Sequence, residues 1–283
     1  MSNAIEINNM SKSFGEKKVL NGINLSIGKG DIFGLLGPSG AGKTTLIKIL
    51  TGQLKAEQGT SLIDSVNSQQ LKGEDYSRFG IMMDNFGVYE RLNCLDNLKV
   101  FARIYNIKQE NIVNVLTDVG PGSAMKTAAG NLSKGTKSRL RLARVFMIEP
   151  SILFLDEPSS GLDPATADDI QQMILTEKEK GKTIFLTTHN MAEAEKMCDH
   201  IALLNEGKIV EHGSPKEICR RYNHQKRFII HLTDGTDREI PHDINAAEII
   251  CDLLKKNMVE TLHSTEPNLE SVFMELTGKE LSV

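Results

Sequence analysis

Apolar and polar positions alternate in residues 4–8 and again in residues 23–27, the period of a half-buried strand. Residues 31–36 are almost all apolar and run into a glycine-rich turn, which predicts a buried strand. The period then changes. Leu46, Ile47, Ile49 and Leu50 suit a helix stopped by Gly52. A strand is expected at 78–83. Apolar residues at 95, 98, 101 and 104 form a helical stripe, 112–119 predicts a second helix, and 140–146 belongs to a longer one starting near Ser133. Residues 152–155 and 183–187 are short apolar strands. Asp163-Pro164 is a strong helix start, a cap followed by a proline whose missing N–H costs nothing in a first turn, and that helix ends at Lys180-Gly181. Asn190 with Glu193 makes a capping box for the next helix. Residues 201–204 and 208–210 flank Asn205-Glu206-Gly207, a hairpin turn.

Strands alternating with helices imply a mostly parallel sheet covered on both faces, an α/β fold. Near Tyr222-Asn223-His224-Gln225 the composition shifts. Residues 227–232, the turn Thr233-Asp234-Gly235-Thr236, a helix at 246–256 and a last helix at 267–276 then describe a small α+β appendage. The expected domains are residues 1–222 and 223–283. A length of 283 residues fits this division, at roughly 150 residues per domain.

Composition narrows the class. With 40% apolar and 25% charged residues, the chain has enough apolar surface to fold. The charge balance is 33 − 37 = −4, so no overall basic field draws it to nucleic acid. Lys134, Lys137, Arg139, Arg141 and Arg144 put five cations near one helix, read as a solvated face with intrahelical pairs. The longest run without Asp, Glu, Lys or Arg is 32–42, 11 residues, whereas a spanning helix needs roughly 20. Cys94, Cys198, Cys219 and Cys251 form no C-x-x-C pair and are expected to be free thiols of a reducing compartment. The first residues lack the basic region and apolar run of a secretory signal.

The chemistry starts at Gly37-Pro38-Ser39-Gly40-Ala41-Gly42-Lys43-Thr44-Thr45. G-x-x-x-x-G-K-T after a strand and before a helix is a phosphate loop. A helix N-terminus offers unpaired N–H groups and a positive dipole end, and the glycines let the backbone wrap a phosphate. Lys43 supplies a point charge between the β- and γ-phosphates, and the Thr44 hydroxyl is a ligand for Mg²⁺. The strand 152–155 ends in Asp156-Glu157. Ligands of a parallel sheet sit beyond the carboxyl ends of its strands, so Asp156 is expected at Mg²⁺ and Glu157 at the attacking water. His189 ends a second such strand and is placed within reach of the γ-phosphate.

Taken together these segments resemble the ATP-binding subunit of ABC transporters, over roughly residues 4–220. Residues 37–45 look like the family's Walker A, and 154–164 like Walker B running into the D-loop. Asn131-Leu132-Ser133-Lys134-Gly135-Thr136 resembles the signature motif, and Thr187-Thr188-His189 looks like the switch histidine. The resemblance implies a P-loop NTPase fold with an antiparallel β subdomain, a helical subdomain at about 85–150 and the C-terminal appendage. It implies ATP and Mg²⁺, with Phe14 stacking on adenine and Glu157, His189 and Lys43 catalytic. Ser133, Gly135 and Asp163 join the nucleotide contacts. Asp84 stands where the Q-loop usually carries Gln, so a charged ligand replaces a neutral one at the metal. Lys134 and Thr136 replace the commoner Gly and Gln.

The implied partners are a second copy of the chain and a separate transmembrane permease, no nucleic acid being involved. That places the protein in the cytoplasm, on the inner membrane face. Residues 88–106 resemble the surface that takes a permease's coupling helix, with plain core as the other reading of Leu98, Phe101 and Ile104. The segment 266–278 resembles the tails of drug, antibiotic-peptide and lipid exporters, with a tail that only stabilises the fold or the dimer as its competitor. Two other functions compete. A soluble ATPase of this family acting on nucleic acid or the ribosome usually has tandem cassettes or a coiled coil, and neither is seen. A regulatory subunit with little turnover would not need Lys43, Asp156, Glu157 and His189 together.

Overall fold

The computed structural model describes residues 3–83, 87–120, 124–224, 226–265 and 267–278. The chain divides into two compact units, Met1–Ser214 and Pro215–Glu280. The first contains β1 (Asn3–Phe14), β2 (Lys17–Gly28), β3 (Ile32–Leu36), α1 (Lys43–Leu50), β4 (Gln58–Ile63), β5 (Val66–Asn67) and β6 (Phe79–Met82). It continues with α2 (Cys94–Ile104), α3 (Gln109–Val119), α4 (Lys134–Phe146), β7 (Ile152–Asp156), α5 (Pro164–Glu179), β8 (Thr183–Thr188), α6 (Met191–Met197), β9 (His200–Asn205) and β10 (Lys208–Gly213).

Six strands form one sheet in the order β10-β9-β3-β8-β7-β6, parallel except for the β9–β10 hairpin. β3, β7 and β8 are buried along their whole length, as parallel strands covered on both faces must be. A row of rings crosses the sheet: Phe33 stacks on Phe185 at 5.6 Å, Phe185 meets Phe154 at 6.0 Å, and Phe154 meets Phe79 edge-on at 6.2 Å. These rings share a core with Leu46, Ile47 and Leu50 of α1 and with Ile5 and Ile7 of β1. Each ring withdrawn from water contributes about 2 kcal/mol. The helix after the phosphate loop is therefore held between this sheet and a second, antiparallel one, β2-β1-β4-β5.

Register fixes where the chemistry goes. Leu36 pairs with Thr188, and Asp156 with Thr187, so the carboxyl ends of β3, β8 and β7 lie side by side. The turns that follow them must converge.

The second unit holds α7 (Pro215–Arg221), β11 (Arg227–Leu232), β12 (Asp237–Pro241), α8 (Ala246–Lys255), β13 (Val259–Ser264) and α9 (Leu269–Thr277). Its antiparallel sheet runs β12-β11-β13. Ile230, Leu232, Ile240, Ala246 and Leu253 form its core. Among the described residues no helix is long and apolar enough to cross a membrane. Among the described residues, Cys94, Cys198, Cys219 and Cys251 form no disulfide.

Two sequence expectations change. α2 forms as the stripe predicts, but its buried face is Cys94, Asn97, Leu98 and Ala102, while Ile104 is 68% exposed. The Asn97 side chain takes the inward place because it ties down the preceding loop, accepting from Tyr89 N at 2.7 Å and donating to Tyr89 O at 3.0 Å. The α4 cations do not form a face paired within the helix. Arg139 pairs with Asp169 of α5, and Arg144 is largely buried over the Phe101 ring at 4.8 Å, donating to Ile81 O at 3.1 Å. Burial lowers the Arg144 pKa from its ordinary value.

Candidate active site

The loop between β3 and α1 is wedged between backbones. A Cβ on Gly37 would lie 2.2 Å from the Leu204 carbonyl oxygen of β9. At Gly42, φ is +115° and a Cβ would lie 2.8 Å from the Val19 carbonyl oxygen of β2. Neither neighbour is a side chain that can swing away, so both positions require glycine. Gly37, Pro38 and Ala41 form the back of the turn, with Ala41 N donating to Pro38 O at 3.2 Å. Ser39, Gly40, Thr44 and Thr45 face the open side. Gly42 caps α1 without any side-chain hydrogen bond, which leaves the first N–H groups of the helix free for an anion.

Lys43 is 6% exposed. Its ammonium donates to Gly37 O at 2.6 Å and Pro38 O at 3.3 Å and lies 3.2 Å from Glu157 Oε1. Asp156, at the buried end of β7, accepts from Thr44 Oγ1 at 2.8 Å and from Thr187 Oγ1 at 2.5 Å, one hydroxyl on each carboxylate oxygen. Glu157 sits in the left-handed region at φ +51°, an uncommon and strained choice for this residue. Its N–H reaches Thr187 O at 3.1 Å, which turns the side chain back over the loop. Glu157 Oε2 meets His189 Nδ1 at 2.6 Å, within hydrogen-bond distance. Lysine, glutamate and histidine thus form one continuous chain of contacts.

They line a cleft of about 470 Å³. Phe14, 53% exposed, lies at the cleft, and the Lys12 ammonium sits over its ring, 5.4 Å from the centroid. Ser133, Gly135 and Asp163 do not line this cleft. Ser133 caps α4, its hydroxyl accepting from Thr136 N at 3.2 Å. Asp163 caps α5 through Thr166, whose hydroxyl and then N–H hold the Asp163 carboxyl below the usual carboxylate range. Gly135 abuts Thr166, where a Cβ would lie 2.5 Å from Cγ2. Asp84 lies outside the described residues.

A family described as "ABC transporter" matches residues 20–160. A fluoroquinolones export ATP-binding protein of Mycobacterium tuberculosis is 36% identical over 265 residues, covering 92% of this chain and 88% of that protein. The chain belongs to the ABC transporter family. A lantibiotic transport ATP-binding protein of Streptococcus pyogenes is 32% identical over 79% of this chain and 98% of its own length. Among solved structures, an ATP-binding subunit of an ABC transporter superposes with a TM-score of 0.70 at 25% identity, covering 77% of this chain and 93% of that one. This ABC subunit is an ATP-binding protein and an ATPase, its hydrolysis coupled to transport.

The donor set of the ABC ATPase fits Mg²⁺. Among the described residues no group of three or more His, Cys, Asp or Glu could hold a metal by itself. One carboxylate beside one hydroxyl is what remains when phosphate oxygens and water supply the other ligands of a small hard cation. Sequence reasoning named Thr187 only beside the switch histidine and missed its bond to Asp156, which β7–β8 pairing sets up, and it missed Val19, which lines the cleft from β2. Neither carries a local signal. The cross-strand partner of Asp156 could have been found only by aligning the two apolar strands.

Proposed function

We propose that two copies of this chain sandwich two Mg·ATP molecules head to tail and drive a separate membrane permease. The carrying observation is a split. Lys43, Thr44, Asp156, Glu157, His189 and Phe14 share one cleft, while Ser133 and Gly135 of the same chain do not line it. Each site then takes its Walker A side from one copy and the N-terminus of α4 from the other. That helix end brings a positive dipole end and the Ser133 hydroxyl to the γ-phosphate. Lys43 leaves Glu157 for the phosphates. Thr44 and Asp156 would hold Mg²⁺, with Asp84 as a further ligand, and the bound metal would supply charge neutralisation at the phosphates. Glu157 then accepts a proton from the attacking water, and His189, already bonded to Glu157, steadies the γ-phosphate.

The exposed Tyr89 and Ile104 support docking of a permease segment on the helical subdomain, about residues 85–150. That contact would hold the protein on the cytoplasmic face of the membrane. The printed roles of the relatives, fluoroquinolone export and lantibiotic transport, support export of a drug, antibiotic peptide or lipid-like cargo. The tail, residues 223–283, is assigned to this exporter type. The test is Glu157→Gln. The variant should bind ATP, lose nearly all turnover and elute as an ATP-dependent dimer in size-exclusion chromatography. Near-normal hydrolysis would sink the role of Glu157, and an ATP-loaded monomer would sink the sandwich.

A further inference from the structure

Glu193, on α6, is a carboxylate only 3% exposed. Among the described residues no cation pairs with it, and Lys196, one turn along the helix, pairs with Asp168. Its partners are two hydroxyls from different segments. Oε2 accepts from Thr188 Oγ1 at 2.7 Å, and Oε1 accepts from Ser159 Oγ in a short contact. The Glu193 N–H donates to Asn190 Oδ1 at 3.1 Å, and Asn190 N donates to Thr188 Oγ1 at 3.0 Å. The residues on either side of His189 are therefore locked to α6. On the other arm, Ser159 lies two residues beyond Glu157, in a turn closed by Ser160 N to Glu157 O at 3.2 Å. Glu157, His189, Thr188, Glu193 and Ser159 make a closed ring of bonds.

Burying a carboxylate without a cation is costly, and an apolar side chain of similar volume is often at least as stable. Fold stability alone does not call for Glu193. We infer that Glu193 is a positioning residue: it couples the loop carrying Ser159 to the strand end carrying His189, so that a shift of that loop moves the Glu157–His189 pair. A cavity of about 360 Å³ beside Ser159, Gly161 and Asn190 gives the loop room to move. The inference rests on the proposed dimer only in assigning that loop to the interface with the second copy.

The test is steady-state ATP hydrolysis by the full chain. Ser159→Ala removes one hydroxyl and leaves Thr188 in place. It should lower kcat about tenfold with KM within about twofold, the signature of a group that acts on the bound state rather than on binding. Glu193→Gln keeps both partners, the amide donating to Ser159 and accepting from Thr188, and should retain kcat within about threefold. A Ser159→Ala enzyme with wild-type kcat would overturn the inference. So would a loss in Glu193→Gln equal to that in Ser159→Ala, because geometry would then not be the cause. Absence of an ATP-driven dimer in Glu157→Gln bears on the sandwich alone, since the kcat comparison is made in chains that keep Glu157.

Discussion

Thr187→Val isolates one hydroxyl at the centre of the site. Thr187 is fully buried, and its hydroxyl is the partner of Asp156 Oδ1 at 2.5 Å. Valine fills nearly the same volume, so no cavity forms, but Asp156, itself 3% exposed, keeps an unpaired oxygen. Such a buried unsatisfied acceptor costs about 1–3 kcal/mol. For a unit of this size each kcal/mol moves Tm by about 2–4 °C, so a loss of about 2 kcal/mol gives a fall of about 4–8 °C. The Glu157 N–H keeps the Thr187 carbonyl at 3.1 Å, so the backbone turn survives. Circular dichroism melts of wild type, Thr187→Val and Thr187→Ser measure the effect. An Mg²⁺ titration of ATP hydrolysis should also show a higher half-saturating concentration for Thr187→Val, because Asp156 is no longer oriented. Thr187→Ser, which keeps the hydroxyl, should keep the wild-type Mg²⁺ dependence. A Thr187→Val melt within about 1 °C of wild type would refute the reasoning, since an acceptor buried in this way cannot lose its donor so cheaply.

Cys198 should resist alkylation in the native chain, because burial raises its thiol pKa far above the usual range, whereas exposed Cys251 should label first, as mass spectrometry of iodoacetamide-treated protein would show. Modification of native Cys198 at the rate of Cys251 would contradict the packing of α6 on β3. Asp84→Gln should change the Mg²⁺ dependence of hydrolysis; superimposable titrations would remove Asp84 from the metal site. Gly37→Ala should fail to retain ATP in equilibrium dialysis or should fold poorly, since its Cβ has only the Leu204 carbonyl to displace. An alanine variant with wild-type binding and stability would show that the loop is not held as described.

The parts of the site written within a few neighbouring residues were legible in the sequence. The phosphate loop, Asp156-Glu157, the cap at Asp163 and the Asn190 arm of the expected capping box each depend on local backbone geometry; the other arm does not form, because the Glu193 carboxyl bonds Thr188 and Ser159 instead. Strands with a continuous apolar run were equally plain. β1 was seen only to residue 8 because its register slips between Ile7 and Met10, where Asn9 adopts φ +49° and the alternation stops. β4 and β13 were missed for another reason: β4 mixes Gly59, Thr60 and Ser61 with few apolar positions, and β13 is exposed at five of its six residues. Their pairing comes from neighbours, not from their own pattern. The roles of Thr187 and Glu193 were hidden because each joins segments about thirty residues apart.

The contact between Lys43 and Glu157 also bears on which solutes the site admits. The ammonium is matched by a carboxylate 3.2 Å away and by two carbonyls. The loop therefore presents less free positive charge than its lysine suggests. Any incoming anion has to compete for that ammonium. A singly or doubly charged species such as orthophosphate gains little by displacing three existing partners. A triphosphate gains contacts along the whole loop at once. The pairing should therefore act as a threshold against small anions, so that orthophosphate competes poorly with ATP in a binding titration.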